Sequence, residues 1–300
     1  MLKGIHFLLS YACTFECDHC FLYCSPEAKG TFTLSQVKSA LAEIKKMPEV
    51  NTVFLEGGEP FLFYPLMVES VRLARRQGLK VGIVTNAYWA TTAEDAELWL
   101  RPLVEIGIDD LSLSDDAFHQ PEEGVNTAKM AQQAALKLGL PAASICIETP
   151  TVKPAETVGG VKGEPVIGGD VRFRGRAVEK LINGLPLRDP ESFTECTDEE
   201  LERPGRVHID AYGNVHICQG ISMGNMWETP LSQLDAEYDA AIHPICGPLL
   251  EGGPIQLAKE HRVPVEEGYV DACHMCYSVR KALIDRFPAH LTPRQVYGLK

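Results

Sequence analysis

Apolar strand-like runs and amphipathic helix-like stretches alternate through the first half of the chain, and this alternation restricts the fold more than any other feature. Ile5 to Ser10 reads as a strand, Leu34 to Met47 as a helix, and Thr52 to Leu55 as a second strand that stops at Gly57–Gly58. Leu66 to Arg76 has helical periodicity and ends at Gly78; Lys80 to Val84, Ala93 to Val104 and Asp110 to Leu113 continue the pattern. Thr127 to Leu138 is an alanine-rich helix closed by Gly139, and Ala142 to Ile147 is the strand after it. Strands joined through helices pair in parallel, because a tight hairpin can only join antiparallel neighbours. Thr149 to Gly169, rich in proline and glycine, predicts a loop or irregular hairpin. Val171 to Phe173 with Val178 to Ile182 makes a sixth strand–helix unit. Six units predict a partial (β/α)6 TIM-type barrel, with a doubly wound sheet as the alternative.

The character changes near Pro190. Arg206 to Ile209 and Val215 to Cys218 flank Asp210-Ala211-Tyr212-Gly213-Asn214, a hairpin signal. Leu231 to Ala240 and Cys276 to Phe287 read as helices separated by Pro- and Gly-rich segments. The expected division is a barrel over 1–187 and a small α+β extension over 188–300. Forty-one acidic against 28 basic side chains leave a net charge of −13, which argues against a nucleic-acid backbone or an anionic membrane as partner. No run of 18 apolar residues occurs, and Ile5 to Ala12 is too short for a secretory signal. The expectation is a soluble, cytoplasmic protein.

Ten cysteines are too few for a disulfide scaffold in 300 residues, and their clustering points to metal. Cys13-x3-Cys17-x2-Cys20 follows the first strand, at the barrel end where chemistry sits. Three thiolates can hold three irons of a [4Fe–4S] cluster and leave the fourth iron open. A zinc site is the alternative, with Cys24 as its fourth ligand. Glu56-Gly57-Gly58-Glu59-Pro60 closes the second strand at the same end. Its glycines allow close backbone approach to a ligand, and Glu59 offers an acceptor for an ammonium group. Alone such a run is a turn; one strand after the cysteine loop it is specific.

Together these motifs resemble the radical S-adenosylmethionine (SAM) superfamily over roughly residues 3–185. The resemblance implies that Cys13, Cys17 and Cys20 hold a [4Fe–4S] cluster whose open iron chelates SAM, and that cluster reduction releases a 5′-deoxyadenosyl radical. It also implies an external one-electron donor such as flavodoxin or ferredoxin. It places Gly57, Gly58, Glu59 and Pro60 at the methionine end of SAM and Thr85 and Asn86 at the third strand's mouth. Ser112, Ser114 and Asp115 fall near the ribose, and His19 beside the adenine. One of Arg172, Arg174 and Arg176, with Arg174 preferred, falls at the carboxylate. An exposed loop histidine and a solvated strand face are the plain alternatives for His19 and the arginines.

Cys196, Gly213-x4-Cys218 and Cys273-x2-Cys276 resemble the twitch extension of such enzymes, the shorter relative of SPASM. The resemblance implies one auxiliary [4Fe–4S] cluster, with Cys246 as a substitute for Cys196 and structural zinc as the alternative. Cys146 reads as a small core residue, and Cys24 as a spare thiol or a hydrogen donor near the active mouth. The expected reaction is net oxidation of a substrate C–H bond with the auxiliary cluster as electron acceptor. Peptide maturases often carry an extra leader-binding domain, and only twelve residues precede Cys13, which tilts the expectation to a small-molecule substrate. Peptide modification, by thioether crosslinking or epimerisation, is the enzymatic alternative, and an iron–sulfur electron carrier the non-enzymatic one.

Overall fold

The computed structural model describes residues 2–120, 123–154 and 165–299. Five parallel strands carry the barrel: β1 (Gly4–Ser10), β2 (Thr52–Gly57), β3 (Lys80–Thr85), β4 (Asp110–Ser114) and β5 (Ala142–Ile145). Four helices cross between them: α1 (Leu34–Ile44), α2 (Tyr64–Arg76), α3 (Ala93–Ile106) and α4 (Thr127–Lys137). Their starts are chemically marked. Thr33 and Gln36 form a reciprocal capping box on α1, and Thr92 and Asn126 accept from the first turns of α3 and α4. α3 ends at Gly107 in the left-handed conformation.

Side chains alternate across each strand. Ile5, Phe7 and Leu9 of β1 face the helices, with Val53, Leu55, Val81, Ile83, Leu111 and Leu113 from its neighbours, and form one core with Val37, Leu41, Val71 and Leu100. The opposite face forms the lumen and is polar where a core would be apolar: His6, Glu56, Ser112 and Ser114 share it with Leu8 and Phe54. Gly82 makes room there, since a Cβ would lie 2.2 Å from the Phe54 ring.

The chain then departs from the expected order. β6 (Thr151–Pro154) and β7 (Pro165–Gly168) pair antiparallel as a hairpin, in keeping with the Thr149–Gly169 expectation, although 155–164 lie outside the described residues. Val171 to Phe173 is not a strand. Gly169, Asp170 and Gly175 take positive φ on either side of it, and Arg174 N–H bonds Arg172 O at 2.7 Å in a tight turn. Only the short α5 (Ala177–Lys180) follows. The sixth parallel strand is instead β8 (Arg206–Asp210), which pairs with the other edge of β1. β9 (Asn214–Cys218) and β10 (Ile221–Asn225) continue antiparallel, so the order is β10-β9-β8-β1-β2-β3-β4-β5. The fold is α/β, a partial TIM-type barrel left open at β5.

That open edge overturns the reading of Cys146. Among the described residues no helix covers the strand end, and the thiol is exposed. Helices α6 (Leu231–Glu237), α7 (Cys246–His261) and α8 (Ala272–Leu283) build a second core with the cysteine loop, from Leu22, Cys24, Ile217, Leu249, Leu257 and Met275. α7 occupies a stretch read from sequence as irregular; it breaks at Gly252–Gly253, which is why no continuous periodicity shows. α8 begins four residues before the expected Cys276, because Asp271 caps it by accepting from His274 N–H.

Buried Asp210 ties the extension to the barrel. It accepts from Tyr11 Oη at 3.0 Å, from Asn214 Nδ2 and Asn214 N–H at 2.9 Å, and from Tyr212 N–H at 3.0 Å. Removing the carboxylate leaves at least two buried donors without an acceptor, each costing about 1–3 kcal/mol. Asp210→Ala is therefore expected to lower unfolding free energy by roughly 3 kcal/mol or more in denaturant titrations. A loss below about 1 kcal/mol would mean the network reforms without it.

Candidate active site

The cysteine loop leaves β1 at Ser10 and folds back over the ends of β2 and β3. Gly58 N–H bonds Ser10 O at 2.6 Å and Glu59 N–H bonds Ala12 O at 2.9 Å. The approach is so close that a Cβ on Gly58 would lie 2.1 Å from Ala12 O, and one on Gly57, at φ 129°, 2.4 Å from Ser10 O. Arg176 clasps the loop from the other side, donating to Cys17 O and Cys24 O, both at 2.8 Å. Gly175 permits that contact, since its Cβ would meet Phe21 Cα at 2.4 Å.

Cys13, Cys17 and Cys20 line a cavity of about 320 Å³, together with Gly57, Gly58, Thr85, Asn86, Ser114 and His19. Burial pushes the Cys13 thiol up to about 11 and raises Cys17 further, whereas a hydrogen bond from Cys24 brings Cys20 down to about 6. Two of the three thiols thus hold their protons at neutral pH until a cation replaces them. Asn86 Nδ2 and Phe15 N–H both donate to Cys13 Sγ at 3.5 Å, as donors to a thiolate ligand would. His19 packs at a tilt against Phe118, ring centroids 4.5 Å apart, and its buried Nδ1 has no partner. Burial, then the neighbouring His119, lowers its pKa to about 4, so the ring is neutral. Cys24 is buried behind Cys20 and lines the same cavity.

Several expected contacts lie elsewhere. Glu59 is fully buried and does not line the cavity. It caps the single turn from Pro60 to Phe63 and accepts from Phe61 N–H at 2.9 Å, Thr85 Oγ1 at 2.9 Å and Asn86 N–H at 2.7 Å. Its carboxylate is spent bracing β2 to β3, and Pro60 is buried in the turn it starts. Ser112 bonds Asp110, and Asp115 accepts from Asn126 Nδ2 at 2.6 Å; of that trio only Ser114 borders the cavity. Arg174, preferred from sequence for the SAM carboxylate, faces the extension. Its Nη1 donates to Cys218 Sγ at 3.0 Å, and the guanidinium lies over Phe21. Arg172 is the arginine at the first cavity, paired with Asp198.

Sequence reasoning missed Glu56 as a cavity residue, and with it His6 and His208. Glu56 meets His208 Nε2 at 3.0 Å and His6 Nδ1 at 3.3 Å. Burial raises its pKa, but the two imidazoles more than reverse this, and the net shift is downward. The readable signal was positional: charged and imidazole groups at strand positions that face inward. His119, held by Asp116 at 2.7 Å beside His19, was missed because its loop carries no periodic pattern.

A second set forms in the extension. Cys196, Cys218, Cys273 and Cys276 line one cavity with Arg174 and Arg280. The cap at Asp271 starts α8 just before Cys273 and Cys276, which at three residues apart share one face of the helix. Cys246 is fully buried at the start of α7 and does not line it. A wider cleft of about 1090 Å³, lined by Ile167, Gly168, Arg188 and Cys273, shares Asp170 and Arg172 with the first cavity.

Residues 7–152 match the radical SAM superfamily model. The chain belongs to the radical SAM superfamily. It is 21% identical over 265 residues to YydG of Bacillus subtilis strain 168, a protein provisionally assigned to peptide biosynthesis, spanning 88% of this chain and 75% of that one. AlbA of the same organism, a biosynthesis protein of the antilisterial bacteriocin subtilosin, is 35% identical over 80 residues, 27% of this chain and 17% of its own length. The structure of BtrN in complex with AdoMet and 2-DOIA aligns at 15% identity with a TM-score of 0.51, over 78% of this chain and 82% of that one, a likeness of fold. Membership implies a [4Fe–4S] cluster and SAM. Three convergent thiols, the Gly57–Gly58 cradle and the unpartnered His19 Nδ1 fit both groups.

Burial raises the Glu59 pKa to about 7, above the carboxylate value near 4.3 of an unfolded chain. The folded state then holds the extra proton between these values, so this group's contribution is complete at low pH and is lost as pH rises towards 7. The full change is about 3 kcal/mol. Gln does not titrate, so the stability advantage of the parent over Glu59→Gln is expected to fall by that amount between about pH 4.5 and 7.5. Urea unfolding of the cluster-free proteins checks it. A pH-independent difference would show that Glu59 is ionised throughout.

Proposed function

We propose that this protein is a radical SAM enzyme that acts on a peptide and carries an auxiliary [4Fe–4S] cluster on Cys196, Cys218, Cys273 and Cys276. The observation that carries the reading is the continuity of the two sites. The wide cleft borders Arg172 and Asp170 at the first cavity and Cys273 at the second, so an extended chain laid in it would meet both. The relation to YydG along most of the chain supports a peptide over a small molecule. The barrel at 1–187 and the extension at 188–300 are then the working division, although β8 continues the barrel sheet.

Cys13, Cys17 and Cys20 would hold the first cluster, and the cavity above them would hold SAM. Together these cofactors supply one-electron chemistry strong enough to break an unactivated C–H bond. The chain's own residues do the rest. Gly57 and Gly58 bring backbone against the ligand, His19 and Phe15 offer ring surfaces at the cavity, and Arg176 keeps the loop in place. Leu8, Phe21 and Ile147 line the cavity and limit water.

Net oxidation is the reading for the outcome. Two buried arginines, Arg174 and Arg280, lie beside the four thiols together with the carboxylates Asp198 and Glu199; Arg174 Nη1 donates to Cys218 sulfur, and its Nε is buried without a partner. Positive charge and N–H donors near cluster sulfurs raise the reduction potential, which suits an electron acceptor. An external donor such as a flavodoxin or ferredoxin would supply the first electron.

Anaerobically reconstituted protein should carry about eight irons and eight sulfides. Replacing Cys13, Cys17 or Cys20 with Ala should abolish SAM cleavage. Replacing Cys273 and Cys276 together should spare about four irons and some uncoupled SAM cleavage, but end peptide turnover. About four irons plus one tightly held zinc in the parent would refute the auxiliary cluster. Turnover at the parent rate by the folded double variant would refute electron transfer through it.

A further inference from the structure

The polar lumen below the SAM cavity has no part in the reading above. His6 on β1 and His208 on β8 are direct register partners, and Glu56 stands on β2 at the position paired with Leu8. Three neighbouring strands therefore aim two imidazoles and one carboxylate at one point. Their donor atoms all lie within 4.8 Å of one another, with His208 Nε2 at 3.0 Å and His6 Nδ1 at 3.3 Å from the two Glu56 oxygens. Ligand atoms bound at about 2.0–2.2 Å to a shared ion stand roughly 3–3.5 Å apart, so little movement is needed.

A closed hydrogen-bonded triad is the competing account. It requires His6 Nδ1 to bond the carboxylate, and it does not. Although only 3.3 Å from Glu56 Oε2, this buried nitrogen makes no hydrogen bond at all. Packing holds the ring where it is, stacked on Phe54 at 4.8 Å and edge-on to His208 at 4.9 Å. A nitrogen fixed near a carboxylate but not aimed at it suits a third body between them. Gln219 lies against His208 with a buried, unpartnered Oε1. Its Nε2 stands 3.3 Å from His208 Nε2 and 3.5 Å from Nδ1, and since amide oxygen and nitrogen are interchangeable by rotation, either atom can face that imidazole.

We propose that His6, Glu56 and His208 bind one divalent transition-metal ion of the zinc or ferrous class, apart from both cysteine sets. Two imidazoles and a carboxylate are the donors those ions take in sites that keep positions open. Glu56 and Leu8 border the SAM cavity, so the open positions face the space where substrate would enter. A carbonyl, amine or thiol of the substrate would complete the coordination.

The experiment is direct zinc binding by cluster-loaded protein. Zn²⁺ is added after chelator treatment, the protein is desalted, and retained zinc is measured by mass spectrometry and X-ray absorption. One equivalent is expected, with a nitrogen/oxygen shell near 2.0–2.1 Å and no sulfur. Glu56→Gln and His208→Asn should each retain at least tenfold less while keeping their iron. No retained zinc, a sulfur shell near 2.3 Å, or retention unaffected by either substitution would overturn the site. The absorption spectrum of the parent decides the question even if a variant fails to fold. SAM is not needed, so failure here is distinct from failure of the radical reaction.

Discussion

Gly58 approaches Ala12 so closely that no side chain could stand between them, and the positions of the three thiols depend on that approach. The two hydrogen bonds from Gly58 and Glu59 to the loop's start pin the chain before Cys13 to the end of β2. Arg176 pins it after Cys17 and Cys20. Between these fixed points the loop has few ways to run, and its sulfurs face a cavity instead of packing into the second core. Glu59 braces this geometry, since its carboxylate accepts from Thr85 and Asn86 and so ties β2 to β3. A ligand-facing motif and a structural brace are thus the same five residues, with the glycines doing one task and the acid the other.

Much of this was legible because it is local. Alternating strands and helices from Ile5 to Ile147 announce a parallel barrel, and Cys13-x3-Cys17-x2-Cys20 with Gly57-Gly58 names the site. What was not legible depends on distant pairing. Val171 to Phe173 has strand-like composition, yet turns on both sides stop it, and β8 takes its place from more than thirty residues later. No local pattern tells Arg206 to Asp210 to join β1 in parallel. Arg174 was misassigned for a related reason. In a strand it would have faced the barrel mouth; in a tight turn it faces Cys218. Glu59 was misread because a carboxylate beside two glycines looks available until its three donors are known. Cys273 and Cys276 were legible as a pair, but their place on a helix rested on Asp271, a cap five residues before the helix read from periodicity.

The lumen explains why a barrel with an ordinary outer core needs polar strands. The helix-facing rows are Ile, Leu, Val and Phe throughout, as a buried parallel sheet requires. The inward rows are not, and burying His6, Glu56, His208 and Asp210 costs free energy unless each is paired. Asp210 accepts four hydrogen bonds from Tyr11, Tyr212 and Asn214, has His216 Nε2 at 3.3 Å besides, and so acts as structure. The His6–Glu56–His208 group is not saturated, which separates it from Asp210 although both lie on the same three strands.

The two cysteine sets differ in the charge around them, and that difference orders their roles. Near the first set the buried acid, Glu59, leans towards neutrality, and Arg176 spends its guanidinium on backbone carbonyls rather than on sulfur. Near the second set Arg174 donates to Cys218 sulfur, and fully buried Arg280 holds Gln219 O at 3.0 Å within the same cavity wall. A cluster on the first set would keep a low potential, as a centre that must deliver an electron to SAM requires. A cluster on the second would receive the Arg174 N–H on sulfur, which favours its reduced form, against the carboxylates Asp198 and Glu199 of the same cavity. Under the proposed function, electrons would run from an outside donor through the first set, and from the substrate radical into the second. A peptide lying in the cleft that joins Arg172 to Cys273 would then meet both sets at one seating.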